Sequence, residues 1–256
     1  QECPVKACGR YYPERVDDVA WENDLTAFRA YGPALQETGE RAFGYDIWTK
    51  YNTTEPVVEA RYEGELNPDM KAKIAELGKT DPKAAQELYR SVSYHVDHGN
   101  GLDCYKVGPT LGGGTTALMA GDTIVYPYCY ATQEILDNGP LRFTVKLVYN
   151  PLVVKGDSTI IETRIITLDA GSYCNKTVVS YTNLKETMPL AVGIVLHEPD
   201  GAIVADVANG YMTYVDPTDN AGGDNGKIFV GAAFPTLVKE AKAVLFPEKE
   251  KKELRG

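Results

Sequence analysis

The chain has 256 residues, with 26 Lys and Arg against 36 Asp and Glu and a formal net charge of -10. That balance excludes a nucleic-acid-binding surface, because phosphate contacts need clustered basic side chains and the one Lys-rich run, PEKEKKELRG, sits at the C-terminal end. No run of about eighteen apolar residues occurs, so no membrane-spanning helix is predicted, and the length suffices for one large domain with a substantial core.

The sequence opens at Gln1 without an initiator methionine, as a mature chain does after its leader is removed, so the expected location is secreted, periplasmic or cell-surface. Asn52-Thr53-Thr54 and Asn175-Lys176-Thr177 match glycosylation acceptors. Of five cysteines, Cys3 with Cys8 and Cys104 with Cys129 are the pairings that spacing suggests, and an odd number leaves at least one over. No CxxC pair marks a structural zinc site.

Residues 1–18 lack periodicity and read as an extended N-terminal arm, followed by a domain over 19–236 and a charged tail over 237–256. In VAWENDLTAFRAYGPAL, Ala27, Arg29 and Tyr31 share one face of an alternating pattern that predicts a strand. Arg29 in mid-strand needs an acid: an internal one such as Glu22 or Asp46, or a carboxylate on a ligand. GYDIWTK predicts a second strand with Asp46 and Trp48 on one face.

Residues 66–90 break the β pattern. Asn67 before Pro68 starts a helix that Gly78 would stop, and Thr80 or Asp81 before Pro82 starts another, giving a short helical insertion.

The next stretch, YHVDHGNGLDCYKVGPTLGGG, gathers His95, His98, Asp97, Asp103, Tyr94, Tyr105 and Lys106 among six glycines. Imidazoles on a backbone free to bend are suited to proton transfer or metal ligation. If His95 and His98 converge with Asp103 they can hold a divalent metal ion; otherwise one serves as acid or base. The glycine triplet lacks the Lys-Ser/Thr of a phosphate loop.

Beyond Gly114 the pattern is β: strands are predicted over 123–130, 141–150, 158–168, 176–183, 190–197, 202–208, 210–215 and 227–233, with turns at Asp137-Asn138-Gly139-Pro140, Lys155-Gly156-Asp157-Ser158 and Asp200-Gly201. The fold class is therefore mainly β, an antiparallel sandwich. Tyr126, Tyr128 and Tyr130 alternate along YPYCY and would share one strand face, a platform for sugar rings or a packed sheet face. His197 ends an apolar run and either joins the other histidines or caps its strand.

WENDLTAFRAYGPAL, GYDIW, YHVDHGNGLDCYKVGPTLGGGTTAL, NGPLRFTVKLVY and ETRIITLDAGSYCNKTVVSY, in that order, resemble the bacterial family catalogued as domain of unknown function 4861. The resemblance implies a secreted protein of polysaccharide-utilising bacteria and a galactose-mutarotase-like supersandwich. It assigns no catalytic residues. Three functions follow as expectations, each with a polysaccharide or oligosaccharide as partner. The first is β-elimination on a uronic-acid glycan, with Arg29 neutralising the carboxylate, His95 or His98 as base and Tyr105 or Tyr94 as acid. The second is a mutarotase or epimerase with Asp103 or Glu22 as base. The third is a glycan-binding protein that uses Trp48, Lys106 and the tyrosine face.

Overall fold

In the computed structural model, residues 3–51, 55–198, 202–218, 225–234 and 238–242 are described. The sequon at Asn52 and most of the charged tail lie outside them. The fold starts from a hairpin inside the stretch that alternation alone would read as one strand. The Asn23 side chain accepts from the backbone N–H groups of Leu25 and Thr26, both at 2.9 Å, and turns the chain there. This splits the stretch into β2 (Asp18–Asn23) and β3 (Thr26–Ala30), followed by α1 (Pro33–Glu37).

The N-terminal segment is more than an arm. Its β1 (Ala7–Tyr12) pairs antiparallel with β2 along its whole length, and a single 3-10 turn at Pro13–Arg15 joins the two. With β4 (Asp46–Lys50) and β5 (Gly101–Asp103) these strands make a five-stranded antiparallel sheet in the order β1-β2-β3-β4-β5. Gly101 has φ +124, and a Cβ on it would stand 2.0 Å from the Thr49 carbonyl oxygen, so glycine is required where β5 meets β4.

Between β4 and β5 come α2 (Val57–Glu65), α3 (Pro68–Thr80) and α4 (Pro82–Arg90). Asn67 and Asp81 cap α3 and α4 by accepting from Met70 N and Ala84 N, each at 3.0 Å, as their positions before Pro predict. Gly78 does not stop α3, because a helical glycine only weakens a helix and Asp81 supplies the end two residues after Lys79. The sequence gives no sign of α2. Its N-terminus is capped from β2, where Glu22 accepts from Val57 N at 2.8 Å and Val58 N at 3.0 Å and also holds Lys50 Nζ at 2.6 Å. Glu22→Gln keeps one acceptor but leaves buried Lys50 without its counter-charge. It should cost about 1–3 kcal/mol and deprotect the amides of residues 57–58, as urea unfolding and hydrogen exchange would show.

The second sheet runs β10-β11-β9-β8, with β12 also paired to β11. Its strands are β8 (Tyr130–Asn138), β9 (Arg142–Tyr149), β10 (Leu152–Val154), β11 (Asp157–Asp169) and β12 (Lys176–Thr182). Two three-stranded sheets complete the fold. One is β13-β6-β7, from β6 (Gly113–Ala120), β7 (Thr123–Val125) and β13 (Leu190–Ile194); the other is β14-β15-β16, from β14 (Ile203–Asp206), β15 (Tyr211–Asp216) and β16 (Ile228–Ala233). The glycine triplet thus leads into a strand. Among the described residues no helix is long and apolar enough to cross a membrane.

The main core lies between the two large sheets: Val19, Trp21, Phe28 and Ala30 meet Phe143, Val145, Leu147, Ile166 and Leu168. Trp21 stacks on Phe28 and Phe143 at 6.0 and 6.3 Å between ring centroids, and its indole N–H donates to Asn175 Oδ1 at 2.8 Å. The other face of the first sheet is buried too, because α2 lays Val57, Val58 and Tyr62 against Ala20, Ala27, Trp48 and Tyr94. Burial on both faces is what takes charged residues of β2, β3 and β4 out of water. No disulfide forms among the described residues, so neither Cys3 with Cys8 nor Cys104 with Cys129 is bridged.

Candidate functional site

Register brings the charged residues of four strands onto the α2-covered face. Arg29 on β3 stands directly opposite Asp46 on β4, Asp103 on β5 is paired with Trp48, and Asp18 lies at the start of β2. The Arg29 guanidinium donates to Asp46 and, at 2.7 Å, to Asp103 Oδ2; Asp18 Oδ2 lies 3.9 Å from Nε. The hydroxyls of Tyr62 and Tyr31 each lie 3.2 Å from it. Trp48 and Tyr94 present their rings to the same cation at 5.4 and 5.7 Å. Burial works against the charge on Arg29, but Asp46 and its other acidic neighbours outweigh it and hold the guanidinium well above its ordinary pKa.

This arrangement corrects two expectations. Arg29 has internal carboxylates and is 3% exposed, so it does not present its fork to a ligand. Trp48 is fully buried, so it offers no face to a sugar. Glu22 is likewise committed to the α2 cap, and Asp103 is ion-paired beneath the surface.

At the edge of this buried floor stand two part-exposed side chains, Arg15 and His95, both in contact with Tyr94, which is itself only 6% exposed. Arg15, from the 3-10 turn, is 18% exposed, lies 3.8 Å from Asp18 Oδ2 and donates to the Tyr94 hydroxyl at 3.2 Å. Burial pushes the Tyr94 hydroxyl up, against the pull of Arg29 and Arg15, so it keeps its proton. The His95 ring packs against Tyr94 at 4.5 Å. Its side chain is 43% exposed, and Nδ1 lies 3.2 Å from the Asp103 carbonyl oxygen and 3.9 Å from Asp103 Oδ2. A carbonyl only accepts, so Nδ1 carries the hydrogen and Nε2 is the basic nitrogen.

His98 goes elsewhere. It is exposed, and its Nε2 donates to the Ser93 carbonyl at 3.0 Å. Asp97 organises the loop between, accepting from Gly99 N at 2.8 Å and from the Tyr51 hydroxyl at 2.7 Å. Among the described residues no group of three or more His, Cys, Asp or Glu side chains is arranged to hold a metal ion, so the two histidines do not converge with Asp103 on one.

Tyr105 and Lys106 belong to a different contact. The Tyr105 hydroxyl donates to the Gly112 carbonyl at 2.9 Å, and its ring meets His197 edge-on at 5.7 Å. His197 bridges Asp216 Oδ2 at 2.5 Å and the Lys106 carbonyl at 2.7 Å, tying the end of the β13 segment to β15. The Lys106 side chain is exposed. The three tyrosines of YPYCY do not share a face, because β7 ends at Val125 and 126–129 is not strand. Tyr126 stacks on Phe43, Tyr128 is exposed beside Arg41, and Tyr130 is buried in the main core. Arg15 is the residue the sequence reading missed; Pro13 just before it, which suits the first turn of a helix, was the available sign that the segment was folded.

A family model described as "Domain of unknown function (DUF4861)" matches residues 2–255. The chain belongs to this family. This DUF4861 chain is 29% identical over 217 residues to a protein named Uncharacterized protein P7 from Formosa agariphila, a match covering 82% of the chain and 48% of that protein. It therefore spans about half the length of this relative. No solved structure matches the chain.

The buried acids of the DUF4861 site give it a pH signature. Asp18 is pushed up from 3.8 to about 6 by burial, with Arg29 and Arg15 pulling the other way. Between those values the folded chain binds more protons at this position than the unfolded one, so its contribution to stability falls as pH rises from about 4 to about 6. Asp18→Asn removes that titration. The stability of the variant relative to wild type should rise across this window, read from urea unfolding at each pH; parallel curves would contradict it.

Proposed function

We propose that this DUF4861 chain is a carbohydrate-active lyase that cleaves a uronic-acid-containing glycan by β-elimination, with His95 as its base. The observation that carries the reading is the contact of three chemically different side chains, the part-exposed Arg15 guanidinium and His95 imidazole with the Tyr94 hydroxyl and ring beneath them, linked by the 3.2 Å Arg15–Tyr94 contact and the 4.5 Å packing of His95 on Tyr94. β-Elimination needs one group of each kind.

In this reading Arg15 replaces Arg29 as the partner of the substrate carboxylate. Only one carboxylate, Asp18, lies within ion-pair distance of it among the described residues, which leaves donors of its fork to turn outward. His95 Nε2 takes the C5 proton, the C4–O bond breaks as the C4–C5 double bond forms, and Tyr94 gives its proton to the leaving oxygen. Water then returns a proton to Tyr94 and removes one from His95. Asp103 is a positioning residue, since its backbone carbonyl accepts from His95 Nδ1, and Arg29 acts through it by holding its carboxylate.

The epimerase reading is less well supported, because both of its candidate bases, Asp103 and Glu22, are buried in ion pairs. The test is the absorbance of unsaturated uronate during incubation with pectic, alginate and ulvan-type oligosaccharides. A rise with one of them supports the lyase and names its substrate class; intact sugars by mass spectrometry throughout would refute it.

A further inference from the structure

We propose that Arg41, Phe43, Tyr126 and Tyr128 form a binding patch for an anionic sugar residue of a glycan. The inference takes from the proposed function only the class of ligand and does not need the chemistry at His95. Two segments, 41–43 and 126–128, are matched in opposite directions. Arg41 meets Tyr128, with its guanidinium 5.2 Å from the ring centroid, and Phe43 stacks on Tyr126 at 5.1 Å. The middle residues, Ala42 and Pro127, are buried, while Arg41 and Tyr128 are exposed and Phe43 and Tyr126 are half-buried beside them.

The patch is held in place. The Tyr128 hydroxyl donates to the Gln36 carbonyl at 3.1 Å and accepts from Arg41 Nη1 at 3.3 Å, which fixes both side chains while Tyr128 remains 41% exposed. Arg41 also keeps its charge without an ion-pair partner among the described residues. Arg10, Arg15, Arg29, Arg142 and Arg164 each have a carboxylate within ion-pair distance, whereas among the described residues Arg41, like Arg61 and Arg90, has none, in a chain of net charge -10.

An aromatic ring fixed beside an unneutralised guanidinium suits one ligand chemistry. The ring takes the apolar C–H face of a pyranose, and the planar fork takes a carboxylate or sulfate on its edge. A neutral sugar would use the first feature and not the second.

The test titrates tetragalacturonate, its methyl ester and a sulfated carrageenan tetrasaccharide into the full chain carrying His95→Ala, by isothermal titration calorimetry. Turnover at His95 is then absent, and failure of the lyase reading does not affect the result. At least one anionic sugar is expected to bind, with the uronate and sulfate arms telling the two sources apart. Tyr128→Ala should weaken that binding tenfold or more. Arg41→Gln, a change at an exposed position that should leave the melting temperature unmoved, should weaken it to a similar degree and leave any binding of the methyl ester unchanged. Absence of binding by every anionic sugar, or binding in either variant as strong as without the added substitution, would overturn the proposal.

Discussion

Arg29→Met should destabilise the fold by about 3–5 kcal/mol at neutral pH, a large part of the 5–15 kcal/mol that holds a typical domain together. The expectation follows from what the substitution leaves behind. Asp46 and Asp103 lose a cation that is buried with them, and neither can turn to water because α2 and Tyr94 close that face. An arginine that only filled space would be replaced by methionine at little cost. Burial already raises Asp46 well above the ordinary carboxylate pKa, and Arg29 is the first influence opposing that rise. Without Arg29 the carboxyl should bind its proton more readily, so the loss should shrink as pH is lowered. Asp46→Asn and Asp103→Asn added to Arg29→Met should recover much of the stability. Urea unfolding of the three variants reads all of this, and a loss below about 1 kcal/mol for Arg29→Met would show that the network is not the buried cluster described.

The second large effect is on activity. His95→Ala should lower formation of the unsaturated product by about 10²–10⁴-fold, the usual contribution of a positioned acid or base, with the melting temperature nearly unchanged because the ring is 43% exposed on its side chain. His98→Ala should keep most of the activity. The two rings differ in their surroundings. His95 stands against Tyr94, which Arg15 also contacts, with its Nδ1 on the Asp103 carbonyl, whereas His98 hangs on the Ser93 carbonyl in an exposed loop. A reversed pair of results would move the site to the 97–101 loop.

Much of the fold was legible in the sequence where one face of a strand meets water. β9, β11 and β12 alternate and were predicted close to their observed bounds, and Asn67 and Asp81 announced their helices by position alone. Legibility failed where distant residues decide. α2 depends on a carboxylate 35 positions earlier in the chain, at Glu22, so no local pattern announces it. The need of a mid-strand arginine for an acid left Glu22, Asp46 and a ligand carboxylate open as partners of Arg29, and the fold takes Asp46. Their burial was not foreseen, because it is set by α2 covering a face that would otherwise be open. The same covering buried Trp48 fully and Tyr94 almost so, out of reach of a flat sugar face. YPYCY failed for another reason: alternation predicts a shared face only while the chain stays a strand, and this one stops at Val125.

The most direct measurement is the ultraviolet absorbance of unsaturated uronate with acidic oligosaccharides, run in parallel on wild type, His95→Ala and Arg15→Gln. A rise for wild type that both variants lose while remaining folded is the expected result. A wild-type rise that survives in His95→Ala would contradict the role given to that imidazole, and no rise with any acidic glycan would contradict the lyase itself.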